Sequence, residues 1–207
     1  MFALILNTVR AVLIPIIMLC SGVVLAADKV AGKQLVLHGN HRGATACQTC
    51  HALNGSGDAA TAFPRLAGLN ADYLVRQLEN FVKDARKNMI MQPIAKALNH
   101  QEMENAAAYF ASLKPLAPIS KSKVDPTLYD EGKALVELGA WDEKVPGTTF
   151  PALAGQHASY LVAELNAWKE GIRKNDPLEL MHGIGSRLDE EQIKAVGAYL
   201  STLNPAH

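Results

Sequence analysis

FPRLAGLNADYL, Phe63 to Leu74, returns as FPALAGQHASYL, Phe150 to Leu161, at an offset of 87 residues. At the same offset Arg86-Lys87-Asn88 matches Arg173-Lys174-Asn175, while Gly32-Lys33 is answered 100 residues on by Gly132-Lys133. Further on the offset becomes 90, so that Met91, Ile94, Leu98 and Tyr109 align with Met181, Ile184, Leu188 and Tyr199. Similarity sustained over that length is a duplication, and it predicts two related units in tandem. Between them lies KPLAPISKSKVDP, Lys114 to Pro126, whose three prolines and lack of apolar periodicity suit a linker. The expected organisation is a leader over 1–26, a first domain over 27–113, the linker over 114–126 and a second domain over 127–207.

Both units read as helical. Leu74, Leu78, Phe81 and Val82 fall on one face of a helix, as do Leu161, Leu165 and Trp168 in the second copy. Met103, Ala106, Ala107, Phe110 and Leu113 repeat the pattern, answered by Ile193, Val196, Gly197, Leu200 and Leu203. Asn99 with Glu102, and Asp189 with Gln192, are capping-box signatures at the starts of these two terminal helices. No comparable strand-like alternation appears, so the expected fold class is all-α, with two small helical domains in tandem.

The chemistry centres on CQTCH, residues 47 to 51. Cys47 and Cys50 sit one helical turn apart, where each thiol can add to a vinyl group of one porphyrin edge, and His51 then lies under the iron. Two other readings are half a zinc site and a thioredoxin-like redox pair. Zinc needs further ligands, yet no second cysteine pair exists, and the redox pair belongs beside a strand–helix unit that a helical chain lacks. The pattern implies one covalent haem c.

A six-coordinate haem needs a second axial ligand, and the first half offers Met89, Met91, Met103, His38, His41 and His100. Met91 is favoured. It lies 40 residues beyond His51, after the Leu74 to Lys83 helix, and it aligns with Met181, whereas Met89 aligns with Glu179. A thioether there would stabilise Fe(II) and raise the reduction potential. The alternative is that Met91 fills a gap in the core. Met103 falls on an apolar helix face and reads as core, while the three histidines lie in polar segments and read as solvent-facing or as neighbours of a haem propionate.

CQTCH, FPRLAG, MIMQPIAKAL and AAYFASL resemble class I cytochrome c domains, and the tandem resembles the dihaem cytochrome c4 family over nearly the whole chain beyond the leader. The resemblance implies thioether attachment at Cys47 and Cys50, axial ligation by His51 and Met91, and the Pro64 carbonyl as acceptor for the ring N–H of His51. Pro64 read without it is a turn residue. The resemblance also implies that Gly32 lets the first helix cross the last against Tyr109 or Phe110.

The second copy departs from that family. Gly132 to Phe150 spans 18 positions where Gly32 to Phe63 spans 31, and no cysteine lies beyond Cys50. The second domain is therefore expected to keep the fold without a haem, its space filled by Trp141, Phe150, Leu180 and Met181. The remaining alternative has Met181 join His157 or His182 around a non-covalent cofactor. Without a haem-to-haem relay the second domain is expected to be a docking surface or a cover over one haem edge.

Residues 11 to 27, AVLIPIIMLCSGVVLAA behind Arg10, read as a secretory signal cleaved after Ala26 or Ala27; a retained membrane anchor is the competing reading. Cys20 follows Leu19 where a lipoprotein signal wants a small residue, which argues against lipidation. With 20 basic and 20 acidic residues and no basic stripe, nothing points to nucleic acid. The expectation is a periplasmic one-electron carrier rather than an enzyme, working between a quinol-oxidising complex or dehydrogenase and a terminal oxidase. Two alternatives are a dedicated cytochrome subunit of a periplasmic dehydrogenase acting on a sulfur compound, alcohol or sugar, and a catalytic haem with an open sixth position.

Overall fold

The computed structural model describes residues 26–138 and 151–205, and among these every regular element is helical. The first unit holds α1 (Lys29–His38), α2 (Gln48–His51), α3 (Ala71–Val82), α4 (Met91–Lys96) and α5 (His100–Ala111). The second holds α6 (Pro126–Leu138), α7 (Ala158–Lys169), α8 (Leu180–Arg187) and α9 (Glu190–Ser201). Short 3₁₀ turns at Lys121–Lys123 and Pro177–Glu179 precede α6 and α8. No described helix is long and apolar enough to cross a membrane.

The helix starts are written in the sequence. Asp28 accepts from the N–H groups of Val30 and Ala31, and Asn70 from that of Tyr73, satisfying donors that a first turn leaves free. Both expected capping boxes form: Asn99 with Glu102 begins α5, and Asp189 with Gln192 begins α9. In each unit the first long helix crosses the last at a glycine. A Cβ on Gly32 would lie 2.0 Å from the Asn105 carbonyl oxygen, and one on Gly132 would lie 2.0 Å from that of Ala195. Tyr109 and Tyr199 flank the two crossings, so the expected role of Gly32 holds and its counterpart repeats it.

The first core gathers Val36, Leu69, Tyr73, Leu74, Ala107, Tyr109 and Phe110; the second gathers Leu161, Leu165, Leu188, Ile193, Val196 and Leu200. Met181 packs against the second core, as expected, whereas Leu180 is 44% exposed and fills nothing. The reason is local: Leu178 and Glu179 both adopt positive φ just before α8, which turns that helix start outward. Trp141 and Phe150 lie outside the described residues. Of the two histidines considered beside Met181, His182 bonds through Nδ1 to the Trp168 carbonyl and His157 through Nε2 to the Ser56 carbonyl, each at 2.8 Å.

One face of α3 departs from the apolar reading. Tyr73 and Gln77 are buried while Leu78 and Val82 are half-buried; Gln77 is buried because its side of the helix meets the other unit. There Arg86 and Arg173 both reach Glu164 and both donate to Gln77 Oε1 at 3.1 Å. Arg86 also donates to the Tyr160 hydroxyl at 2.8 Å. Arg86 and Arg173, like Gln77 and Glu164, are repeat partners at the 87-residue offset, so the contact is quasi-symmetric, with Glu164 its only carboxylate among the described residues.

Candidate functional site

α2 is a single turn made of QTCH, and Cys47 leads into it in helical conformation. The His51 N–H donates to the Cys47 carbonyl at 2.9 Å, so the two cysteines and the histidine share one turn as the spacing requires. Cys47 and Cys50 are free thiols, both half-buried. Burial pushes the Cys47 thiol up to about 11. Among the described residues no three His, Cys, Asp or Glu side chains gather as a metal site, so the zinc reading finds no further ligands.

His51 is 6% exposed, and its Nδ1 lies 3.1 Å from the Pro64 carbonyl oxygen. With Nδ1 the donor, Nε2 carries the lone pair. Burial lowers the pKa of the ring, the Pro64 bond opposes it, and the Arg86 charge adds to the lowering; the net result is a neutral imidazole. That is the form that binds a metal, with its tautomer fixed by a carbonyl. The loop carrying Pro64 is fastened to α2 by Gly57 N–H to the His51 carbonyl at 3.0 Å and by paired bonds between Asp58 and Phe63. The Phe63 ring stands 6.3 Å from that of His51.

Met91 begins α4 and is half-buried. Asn88 Oδ1 accepts from the N–H groups of Ile90 and Met91, both at 2.9 Å, and Gln92 and Lys96 reach back to Asp84. The start of α4 is thereby held in one conformation. Met89 is 94% exposed, which separates it from Met91 as sharply as the repeat alignment does. Met103 is buried in the core, and His38, His41 and His100 are exposed, His100 facing Glu79 and Glu104.

Sequence reasoning passed over Arg65. It is 2% exposed and its guanidinium donates to the carbonyls of Ala67, Ala152 and Ala154, yet Nε has no partner and no carboxylate lies within ion-pair distance among the described residues. A buried cation without a counter-charge is costly. Next to the residue that holds His51, it ties the first domain to the second through the Ala152 and Ala154 carbonyls. The donor set suits haem c: two thiols one turn apart, a neutral histidine and a thioether at a helix start. The signal was present in FPRLAG, where Ala152 stands in the second copy.

The family model described as Cytochrome c matches residues 31–114. A thiosulfate dehydrogenase electron acceptor from Stutzerimonas stutzeri is 39% identical over 195 residues, covering 86% of this chain and 89% of the relative. A cytochrome c4 from Pseudomonas aeruginosa is 33% identical, covering 78% of this chain and 85% of the relative. The chain belongs to the cytochrome c4 family. Reduced cytochrome c4 from Pseudomonas stutzeri superposes with a TM-score of 0.72 at 29% identity, covering 86% of this chain and all of the other. A thiosulfate dehydrogenase from Marichromatium purpuratum superposes with a TM-score of 0.76 at 36% identity over 84% of this chain. This chain spans 40% of that longer protein. Like its cytochrome c4 relatives this is a c-type cytochrome with covalent haem c, an electron carrier rather than an enzyme.

Proposed function

We propose that this cytochrome is a periplasmic acceptor of single electrons, with one haem c in its first domain, and that its donor is a dehydrogenase acting on thiosulfate or a similar reduced sulfur compound. The observation that carries the redox reading is the His51 ring, neutral and fixed by Pro64 in the same turn as two free thiols. Cys47 and Cys50 would hold the group through thioethers, and His51 Nε2 and the Met91 sulfur would ligate its iron. When bound, the haem would supply a one-electron Fe(III)/Fe(II) couple, and thioether ligation by Met91 would favour the reduced form. Burial of His51 and the packed loop around Pro64 keep water from the ligand side and limit reorganisation.

The donor is read from likeness. Relatives from Stutzerimonas stutzeri and Thiomonas intermedia are thiosulfate dehydrogenase electron acceptors, 39% and 38% identical to this chain. Electrons would pass onward to a terminal oxidase or another acceptor. The second domain, lacking cysteine, would carry no haem and would serve as cover and docking surface. Residues 1–26 would direct export, which thioether formation on the far side of the membrane requires.

The test is stopped-flow mixing of the oxidised protein with a thiosulfate dehydrogenase and thiosulfate, recording the reduced haem spectrum. One electron per chain, delivered only when enzyme and thiosulfate are both present, is expected. Reduction that needs a quinol-oxidising complex and ignores the dehydrogenase would overturn the assigned donor.

A further inference from the structure

Gln156, at the entrance to α7, reaches from the second domain into the segment of the first that carries Pro64 and Arg65. It is 3% exposed. Its Oε1 accepts from the Arg65 N–H at 2.8 Å and its Nε2 donates to the Arg65 carbonyl at 2.9 Å. Oε1 also accepts from the His157 N–H at 3.0 Å, which fixes the amide against the start of its own helix.

The Arg65 N–H and the Pro64 carbonyl belong to one peptide unit, and that unit is planar and rigid. Gln156 grips it at the nitrogen end and the His51 Nδ1–H donates to it at the oxygen end. The two bonds lie in series through a single amide: Gln156 Oε1, Arg65 N–H, Pro64 C=O, His51 Nδ1–H. Accepting at one end and donating at the other polarises an amide, so each bond strengthens the other. The arrangement is one-sided. Leu69 is the repeat counterpart of Gln156 and is buried in the first core, and Ala152 is the counterpart of Arg65. The duplication alone does not account for this contact. Nearby, Ser159 Oγ donates to the Ala59 carbonyl at 2.7 Å, binding the same loop without touching the peptide that holds His51.

We infer that Gln156 is a positioning residue for the axial histidine, through which the second domain sets the strength of the hydrogen bond on His51 and hence the haem's reduction potential. The inference rests on His51 being the haem ligand. A stronger bond at Nδ1 makes the imidazole a better donor and favours Fe(III). Removing the Gln156 amide weakens the Pro64 acceptor and moves the potential upward.

The experiment uses the full, haem-loaded protein with Gln156→Met, which fills a similar volume without an amide, Gln156→Glu, which keeps an acceptor facing the Arg65 N–H, and Ser159→Ala as a control on the domain contact. Pyridine haemochrome content is measured first, and a wild-type chain without haem would overturn the cofactor reading beneath this one. Proton NMR of the reduced form then gives the exchange rate of the His51 ring N–H, and voltammetry gives the potential. Losing about one hydrogen bond's worth of protection makes exchange about tenfold faster in Gln156→Met, with the potential shifted upward. Gln156→Glu exchanges more slowly than Gln156→Met, and Ser159→Ala matches the wild type. If Gln156→Met exchanges at the wild-type rate, or if Ser159→Ala accelerates exchange equally, the inference is wrong. Should Gln156→Met fail to fold, a Gln156→Glu variant that retains haem yet exchanges as fast as a solvent-exposed imidazole would overturn it independently.

Discussion

Among the described residues Glu164 is the one carboxylate paired with both Arg86 and Arg173 where the two domains meet, and replacing it with Gln isolates the energetics of that contact. The side chains of Arg86 and Arg173 are each 9% exposed and that of Glu164 is 21% exposed. Glu164→Gln keeps the shape and leaves two nearly buried guanidinium groups without a counter-charge. Removing one partner of a buried pair costs about 3–5 kcal/mol, and the partial exposure of Glu164 places this case near the lower end, at ~3 kcal/mol. For a chain of this size each kcal/mol lowers the melting temperature by about 2–4 °C, so a fall of about 6–12 °C is expected. The pH dependence follows from the same geometry. Burial alone would raise the Glu164 pKa, but Arg86 and Arg173 outweigh it and hold the group below the usual carboxylate range. A folded pKa below the unfolded one means that the stabilisation is fully present above about pH 4.5 and is lost as pH falls through the folded value. Melting scans of both proteins between about pH 3 and pH 8 should therefore differ by a constant amount near neutrality and converge in acid. A variant that melts within about 1 °C of the wild type at neutral pH would refute the reasoning, since the contact would then contribute nothing.

Other perturbations address other parts of the molecule. Met91→Ala should abolish the near-infrared sulfur-to-iron band of the oxidised protein and lower its potential, while Met89→Ala, at a side chain 94% exposed, should leave both unchanged. Gly32→Ala places a Cβ against the Asn105 carbonyl and should cost ~3 kcal/mol by chemical denaturation, since backbone rather than a movable side chain must give way. A chain lacking residues 1–26, made in the bacterial cytoplasm, should show no haem-stained band on a denaturing gel, and terminal sequencing of the exported protein should begin at Ala27 or Asp28 if the leader is cleaved.

The repeat and the helical periodicities made the tandem α-helical fold legible, and short-range chemistry made its details so. Asn99 and Glu102, or Cys47 and Cys50, act within one turn, where spacing alone determines geometry. The bond between His51 and Pro64 spans 13 residues, and it was anticipated from family resemblance rather than from any local pattern. What could not be read was which polar faces are buried. Gln77 and Glu164 look like solvated positions on amphipathic helices, and Arg86 and Arg173 like loop charges, because a sequence gives no sign that one polar stripe will meet its own repeat. Arg65 and Gln156 escaped notice for the same reason: their partners lie 91 residues apart. Leu180 was misplaced because hydrophobicity suggested burial, while two preceding positive-φ residues turn it outward.

Haem content tests the single covalent attachment at Cys47 and Cys50 most directly. The purified exported protein, measured by pyridine haemochrome against protein concentration and by intact mass, should carry one covalent haem per chain. Peptide mapping should place it on the Cys47 to His51 segment. Two haems per chain, or a haem-free chain of unmodified mass, would contradict it.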